Sequence, residues 1–219
     1  YNASHLFGFF STFNPDAINN VSLIKGGFPA RYGGRLSSVL DISMKEGNLK
    51  KWNKEGSIGL ISSRIAVQGP IIKEKMSFIL SARRTYYDIL AAPFIASSTG
   101  GDGSSVFYFY DLNAKLNYKI SDKDRIYLSL YNGRDKFGVK YKSVYETEEN
   151  EAEVSIWWGN ITSTLRWNHV INQKLFMNTS LIYSQYKFNV GSKDEINYSD
   201  FSTGNTIKET FEIDYYSGI

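Results

Sequence analysis

Residues that could do catalytic or metal-binding chemistry are few in this sequence of 219 residues. It contains two histidines, His5 and His169, and no cysteine. Nucleophilic catalysis needs a serine or cysteine beside a general base, and a zinc site needs several cysteine or histidine ligands. Neither arrangement occurs along the chain, and neither does a glycine-rich phosphate loop. We therefore expect no enzymatic activity, no metal site and no cofactor.

Glutamates are concentrated in one short stretch, which contains Glu146, Glu148, Glu149, Glu151 and Glu153. Such a cluster could bind calcium or a cationic ligand. A charge run in an exposed loop is more often simply solvated, and that is the interpretation we favour.

Aromatic side chains are the better candidates for ligand contact. The chain has 16 Tyr, 14 Phe and 4 Trp, although its mean hydropathy is only −0.32. Several of these rings share the polar face of alternating strands with charged residues, where they could stack against a sugar or an aromatic ligand. The candidates are Arg83, Tyr87, Phe107, Phe109, Asp111, Tyr127, Tyr131, Asp135 and Trp158. Packing of the rings against another part of the chain is the competing role.

The elements that must position these residues are long strands with a period of two. In residues 107–120, apolar or aromatic residues occupy the even positions and polar residues occupy most of the odd ones. Short polar turns are predicted at residues 73–75, 121–123 and 172–174. Long polar loops are predicted at residues 91–105, 138–153 and 191–205. Short turns at one end and long loops at the other are typical of an outer-membrane β-barrel.

The spacing of aromatic residues favours a membrane barrel over a soluble β-sandwich. Trp157 and Trp167 lie ten positions apart on one strand face, as do Tyr108 and Tyr118. Ten residues of a tilted strand rise roughly 24 Å, close to the height of the apolar band between the aromatic girdles of a barrel. No run approaches the ~18 apolar residues of a membrane-spanning helix. The net charge of +3 is too small to indicate nucleic-acid binding.

The first 50 residues differ from the rest of the chain. They are rich in glycine, and Asn14-Pro15-Asp16 predicts the start of a short helix with asparagine as its cap. Short strands are predicted at residues 21–25 and 36–44. The sequence thus predicts an all-β fold in two parts. Residues 1–50 form one part, and residues 51–219 contain about eight strands of a large antiparallel transmembrane barrel, the last strand truncated.

Three stretches in this first part resemble the end of the plug domain of a TonB-dependent outer-membrane receptor: residues 21–27, 30–35 and 39–47. Residues 10–18, 69–70 and 83–86 resemble the subgroup common in Bacteroidetes-like bacteria. The resemblance implies that residues 1–50 are the C-terminal part of a plug and that the whole is a segment of a longer protein. The residues of the plug motif are Lys25, Gly26, Gly27, Arg31, Tyr32, Gly33, Gly34 and Arg35.

The resemblance also implies a location and a function. Such receptors lie in the outer membrane of Gram-negative bacteria and import a bulky nutrient such as a metal chelate, a glycan or a peptide. The implied partners are outer-membrane lipid, the nutrient, the TonB energy-transducing protein through segments absent from this sequence, and a surface lipoprotein. A passive porin and a soluble carbohydrate-binding or adhesin domain are the alternatives.

Two arginines of the plug motif, Arg31 and Arg35, are candidates for ion pairs with carboxylates that line the lumen. The candidate partners are Asp111, Asp135, Glu212 and Asp214. Such pairs would hold the plug and be released on transport. The alternative is that both arginines are solvated in a polar lumen.

Overall fold

The computed structural model describes residues 5, 8, 10–27, 29, 32, 37–145, 148–199 and 206–218. Strands account for most of these residues, and the strands within each sheet are antiparallel. The prediction of an all-β antiparallel fold is therefore confirmed. One two-stranded sheet precedes residue 50, and one eight-stranded sheet follows it. The assignment of these parts to a plug and a barrel stays a prediction.

The first part begins with a 3-10 helix at Pro15–Ala17. The Asn14 side chain caps it by accepting a hydrogen bond from the Asp16 backbone N–H at 3.1 Å, as the sequence predicted. Strand β1 (Ile18–Ile24) follows and pairs with β2 (Val39–Met44). Both lie close to their predicted positions.

The eight strands of the large sheet pair in chain order, from β3 at one edge to β10 at the other. They are β3 (Asn53–Ile58), β4 (Ser62–Ile72), β5 (Met76–Thr85), β6 (Gly103–Lys119), β7 (Asp124–Tyr145), β8 (Glu148–Asn172), β9 (Leu175–Ser199) and β10 (Thr206–Gly218). Within the described residues β3 and β10 do not pair with each other, so the sheet is open.

The three short turns were predicted correctly, because β5, β7 and β9 begin directly after them. The long loops were predicted wrongly. The residues of 138–153 and 191–205 that the structure describes belong to β7, β8 and β9, and residues 91–105 include part of helix α1 (Tyr87–Ser98). Polar composition suggested loops there, but backbone ladders continue wherever two polar strands can pair in water. No described helix is both long and apolar enough to cross a membrane.

The large sheet has two faces of different character. Residues from the N-terminal part pack on one face, which we call the inner face, and the opposite one is the outer face. Directly paired residues lie on the same face. Phe109, Asp135 and Trp158 are paired across β6, β7 and β8 on the inner face. The neighbouring trio of Lys136, Trp157 and Asn189 lies on the outer face.

Candidate functional site

The centre of the inner face holds a fully buried histidine. His5 is 0% exposed, and its Nδ1–H donates a hydrogen bond of 2.8 Å to the Asp135 carboxylate, also 0% exposed. The imidazole stacks on the Phe109 ring, with ring centroids 4.2 Å apart. Phe10, which also belongs to the first part of the chain, contacts the same ring. Residues of the first part therefore dock on β6 and β7 through both packing and a charge-assisted hydrogen bond.

A buried ion pair lies beside this histidine. Arg83 Nε on β5 donates to the Asp111 carboxylate on β6 at 2.6 Å. The same guanidinium donates to the backbone carbonyl of Ser11 at 2.7 Å and lies over the Phe109 ring. His5 Nε2 lies 3.9 Å from Asp111. The structure thus brings four predicted site residues together, namely Arg83, Phe109, Asp111 and Asp135.

Further contacts attach the first part to the sheet on both sides of this centre. Arg64 on β4 pairs with Asp16 at 3.1 Å. Lys115 on β6 donates to the carbonyl of Met44 at 3.3 Å, and Ser77 on β5 donates to the carbonyl of Glu46 at 2.9 Å. The inner face is therefore the binding surface for the first part of the chain.

Nearer the short turns, a polar cavity of about 510 Å³ separates β2 from β6, β7 and β8. Tyr127, a predicted site residue, lines it together with Asp41, Lys115 and Arg166. Two other predicted residues of the inner face, Tyr131 and Trp158, are buried. Their burial agrees with packing, the competing role for these rings.

Away from the short turns, the inner face carries an aromatic cluster. Phe107 lies edge to face against both Tyr87 and Phe137, with centroids 5.6 Å apart in each pair. Tyr87 was expected on a strand, but it is the first residue of α1 and is 47% exposed. The strand ends at Thr85, and the Tyr86 amide donates a hydrogen bond to the carbonyl of Ile61 in the turn between β3 and β4. Tyr87 and Phe107 thus still meet, at the end of the inner face away from the short turns, which we call its upper end.

From this cluster to the far ends of the strands, the polarity of the two faces is reversed. Phe137, Val154 and Ile213 are exposed apolar residues in register with inner-face positions. Glu212 and Asp214 were expected to face the lumen, but they lie in register with outer-face positions. Asp214 accepts a hydrogen bond from Asn189 on that face at 3.4 Å. Alternation along a strand predicts that successive residues face opposite sides, but not the position at which the polarity of the two faces is exchanged, and this explains the error.

The plug-motif residues are only partly described. Lys25, Gly26 and Gly27 directly follow β1, and Tyr32 donates a hydrogen bond to Asp41 on β2 at 2.7 Å. The other four lie outside the described residues: Arg31, Gly33, Gly34 and Arg35. Their proposed ion pairs therefore stay predictions. Among the described residues, Arg83 pairs with Asp111 and His5 pairs with Asp135.

The acidic stretch is not a loop where the structure describes its side chains. Glu151 on β8 pairs with Lys140 and, at 3.5 Å, with Lys142 on β7. The hydrogen bond to Lys140 lowers the pKa of Glu151 and raises the pKa of Lys140. Glu146 lies outside the described residues. No cluster of three or more potential metal ligands occurs among the described side chains.

His5 and Ser11 are the site residues that sequence reasoning missed. No local pattern links residue 5 to residue 135, and Ser11 takes part through its backbone carbonyl. The rarity of histidine was the one available signal. Rarity by itself does not distinguish a catalytic histidine from one that packs in a core.

Comparisons with known proteins add little to this description. No protein-family model matches the chain, and no curated protein matches it. Among solved structures, the chain is similar to the siderophore receptor PirA from Acinetobacter baumannii, with 14% sequence identity and a TM-score of 0.38. The match covers 93% of this chain and 35% of the receptor, so the chain spans about a third of that protein's length. A similarity of this degree does not assign the chain to a family.

Proposed function

We propose that this chain is part of a TonB-dependent receptor in the outer membrane of a Gram-negative bacterium, which imports a bulky nutrient. Residues 1–50 form the C-terminal part of its plug, and residues 51–219 form the first strands of its barrel. The plug blocks the lumen until an inner-membrane motor, acting through TonB, displaces it. The protein is a transporter and not an enzyme.

One observation carries this proposal: the two faces of the large sheet have opposite partners. The outer face exposes an apolar band that includes Leu112, Leu130 and Leu165, and Trp157 and Trp167 bound it on β8. The inner face is polar at its centre and is covered there by residues of the first part. An apolar outside and a polar, occupied inside are what a plugged membrane barrel requires.

The open sheet supports a wide barrel. Eight strands closed on themselves leave an interior that their own side chains fill. The first part of the chain would not fit into such an interior. We therefore infer that further strands join the edges β3 and β10 to complete the barrel.

The upper inner face is the proposed contact surface for the nutrient. Its exposed aromatic and aliphatic side chains include Tyr87, Phe137 and Val154. Rings of this kind stack on sugars, peptide side chains or the aromatic groups of a metal chelate. A surface lipoprotein that closes over this opening is a further candidate partner.

Cell fractionation of the full-length protein tests the location. A protein found in the outer membrane, with a band on an unboiled gel that shifts after heating, agrees with the proposal. A protein recovered from the soluble fraction would instead support the carbohydrate-binding or adhesin alternative.

Single-channel conductance distinguishes a plugged receptor from a porin. The purified protein in a planar bilayer should carry no steady current because the plug occupies the lumen. A steady open current from the intact protein would support the porin alternative and overturn the transporter proposal.

A further inference from the structure

The outer face carries an excess of positive charge at one height, along the edge of the apolar band. The ladder register places Arg84, Tyr110, Arg134, Gly159 and Lys187 in one row across β5 to β9. We call this the cationic row. Lys136 lies in the next row, away from the band. Four cations thus lie on two neighbouring rows.

A recess interrupts the cationic row at Gly159, which has no side chain to fill the space between Arg134 and Lys187. The recess is a cavity of about 230 Å³, and its lining includes Tyr110, Arg134, Trp157, Gly159, Ile161 and Lys187. The Arg134 guanidinium lies 4.0 Å from the centroid of the Trp157 ring. Its Nε is buried and has no hydrogen-bond acceptor among the described residues. The guanidinium that lines the recess therefore has a donor that lacks an acceptor, and a bound anion could supply one.

The carboxylates that the structure describes on or beside the outer face lie mostly away from the centre of the cationic row. Asp88 on α1 is 3.4 Å from Arg84, at the far side of the row from Lys187. Along β8 and β10 the carboxylates begin further from the band, where Asp214 pairs in register with Gly191 and Glu151 pairs with lysines. Among the described residues, basic side chains of the outer face are therefore concentrated beside the apolar band.

We propose that this recess binds the phosphate of a lipid headgroup that carries a net negative charge. Arg134 and Lys187 hold the phosphate, and the acyl chains lie on the apolar band below, where Leu112 and Ile161 are exposed. Aromatic rings at a membrane interface and basic pockets that open towards lipid are the two features that such headgroups need. The inference rests on the proposed function, because it requires the outer face to contact lipid.

The position of the recess favours a lipid over a free anion. A soluble phosphate would be held by the same donors but would gain nothing from the adjoining apolar surface. A lipid buries its chains on that surface while its charge meets the cations. The two sources therefore differ in how strongly they should bind.

Lipid titration of the purified full-length protein in detergent tests the site, with bound lipid counted by native mass spectrometry. The probes are short-chain phosphatidic acid, phosphatidylcholine of the same chain length, and glycerol phosphate. We expect Arg134→Gln and Lys187→Gln each to weaken phosphatidic acid binding about 5-fold, and the double variant about 25-fold. Lys187→Arg, which keeps the charge, should bind within about 2-fold of the original protein.

Lys193→Gln is the matched control, since Lys193 is also on the outer face but lies further from the band and pairs with Glu195 at 3.4 Å. It should change binding by less than about 2-fold.

Equal binding by the double variant and the original protein would overturn the lipid site. Glycerol phosphate that competes as well as the lipid would show a free-anion site and would also overturn it. If the protein is in the outer membrane but shows no preference for phosphatidic acid, the lipid site fails while the proposed function stands. If the protein is soluble, both fail.

Discussion

At the scale of single residues, the inner face is organised by a buried imidazole and two buried carboxylates. His5 and Arg83 each satisfy one carboxylate, and both contact the Phe109 ring. Burial of these charges is tolerated because each has a close partner of opposite charge or a hydrogen-bond donor. Removing one side chain of either pair therefore leaves its partner buried without a counter-charge or a donor, and this should weaken the attachment of the first part to the sheet.

His5→Ala should loosen the docking of residues 10–17 on the sheet. The substitution leaves Asp135 buried without its imidazole donor, which typically costs about 3 kcal/mol. Hydrogen exchange of the backbone amides in residues 10–17 should become faster by about two orders of magnitude. His169→Ala is the control, because His169 pairs with Asp124 beside a short turn. Unchanged exchange in the His5 variant would mean that the imidazole does not hold the segment.

Gly47→Ala should destabilise the connection between β2 and β3. Gly47 has φ of +83°, a conformation that side chains disfavour, and a methyl group there would overlap the backbone of Phe78. We expect a loss of about 2–3 kcal/mol in the free energy of unfolding, measured from the urea midpoint. Gly56→Ala provides the comparison, since its nearest neighbour would be the Arg64 carbonyl at 3.8 Å. Equal effects of the two substitutions would contradict the steric explanation.

At the scale of elements, the hairpin of β7 and β8 extends past the apolar band, with charged residues on its outer face and apolar residues such as Val139 and Val154 on its inner face. Its strands remain paired as far as Tyr145 and Glu148. Cross-strand charge pairs on the outer face, such as Lys140 with Glu151, replace the apolar packing of the band. A sequence rich in charge can therefore form a strand where its partner strand carries the opposite charge.

The stability of this hairpin extension should depend on pH only at the extremes. Because the pKa of Glu151 is lowered, the stabilisation that its charge gives the hairpin is complete above the ordinary pKa of 4.5. That stabilisation is lost as pH falls through the lower pKa of the folded state. Because the pKa of Lys140 is raised, the stabilisation from its charge is complete below the ordinary pKa of 10.5. It is lost as pH rises through the higher pKa of the folded state. A spin label at Ser143→Cys should show constant mobility between about pH 5 and 9 and greater mobility in stronger acid.

Glu151→Gln provides the control for this measurement. The label should then be mobile across the whole pH range, because glutamine keeps the size of the side chain but removes the charge. A rise in mobility near neutral pH in the original protein would point to another titrating group and would contradict the role of this pair.

At the scale of the whole molecule, the large sheet separates two environments. Exposed aliphatic residues on the outer face and buried polar residues on the inner face alternate along β6 and β7. This arrangement is the reverse of a soluble protein, whose buried face is apolar. The open edges at β3 and β10 and the covered inner face are both features that the proposed barrel requires.

Single cysteines should report this separation directly, since the sequence has none of its own. In a bilayer, Leu128→Cys and Leu130→Cys should be protected from a water-soluble maleimide, because the register places both on the outer face within the band. Ser129→Cys, which lines the polar inner cavity, should react at least tenfold faster, a ratio of about 1.4 kcal/mol in access. Similar rates at the three positions would contradict a lipid-facing outer surface.

The sequence by itself determined the local structure, because that structure depends on neighbouring residues. Alternation along residues 107–120 indicated a strand with two different faces, the short turns were marked by polar residues, and Asn14 indicated a helix cap. The same parity placed Phe109, Asp111 and Asp135 on one face, as the register confirms. These features needed no knowledge of residues far along the chain.

Only the tertiary structure decided which residues meet and where the two environments end. His5 reaches Asp135 across 130 positions of sequence, a contact that no periodicity encodes. Glu212 and Asp214 were placed on the wrong face because parity gives alternation but not the height at which polarity reverses. That height is set by strand register and by the edge of the apolar band, where Arg134 and Lys187 frame the recess.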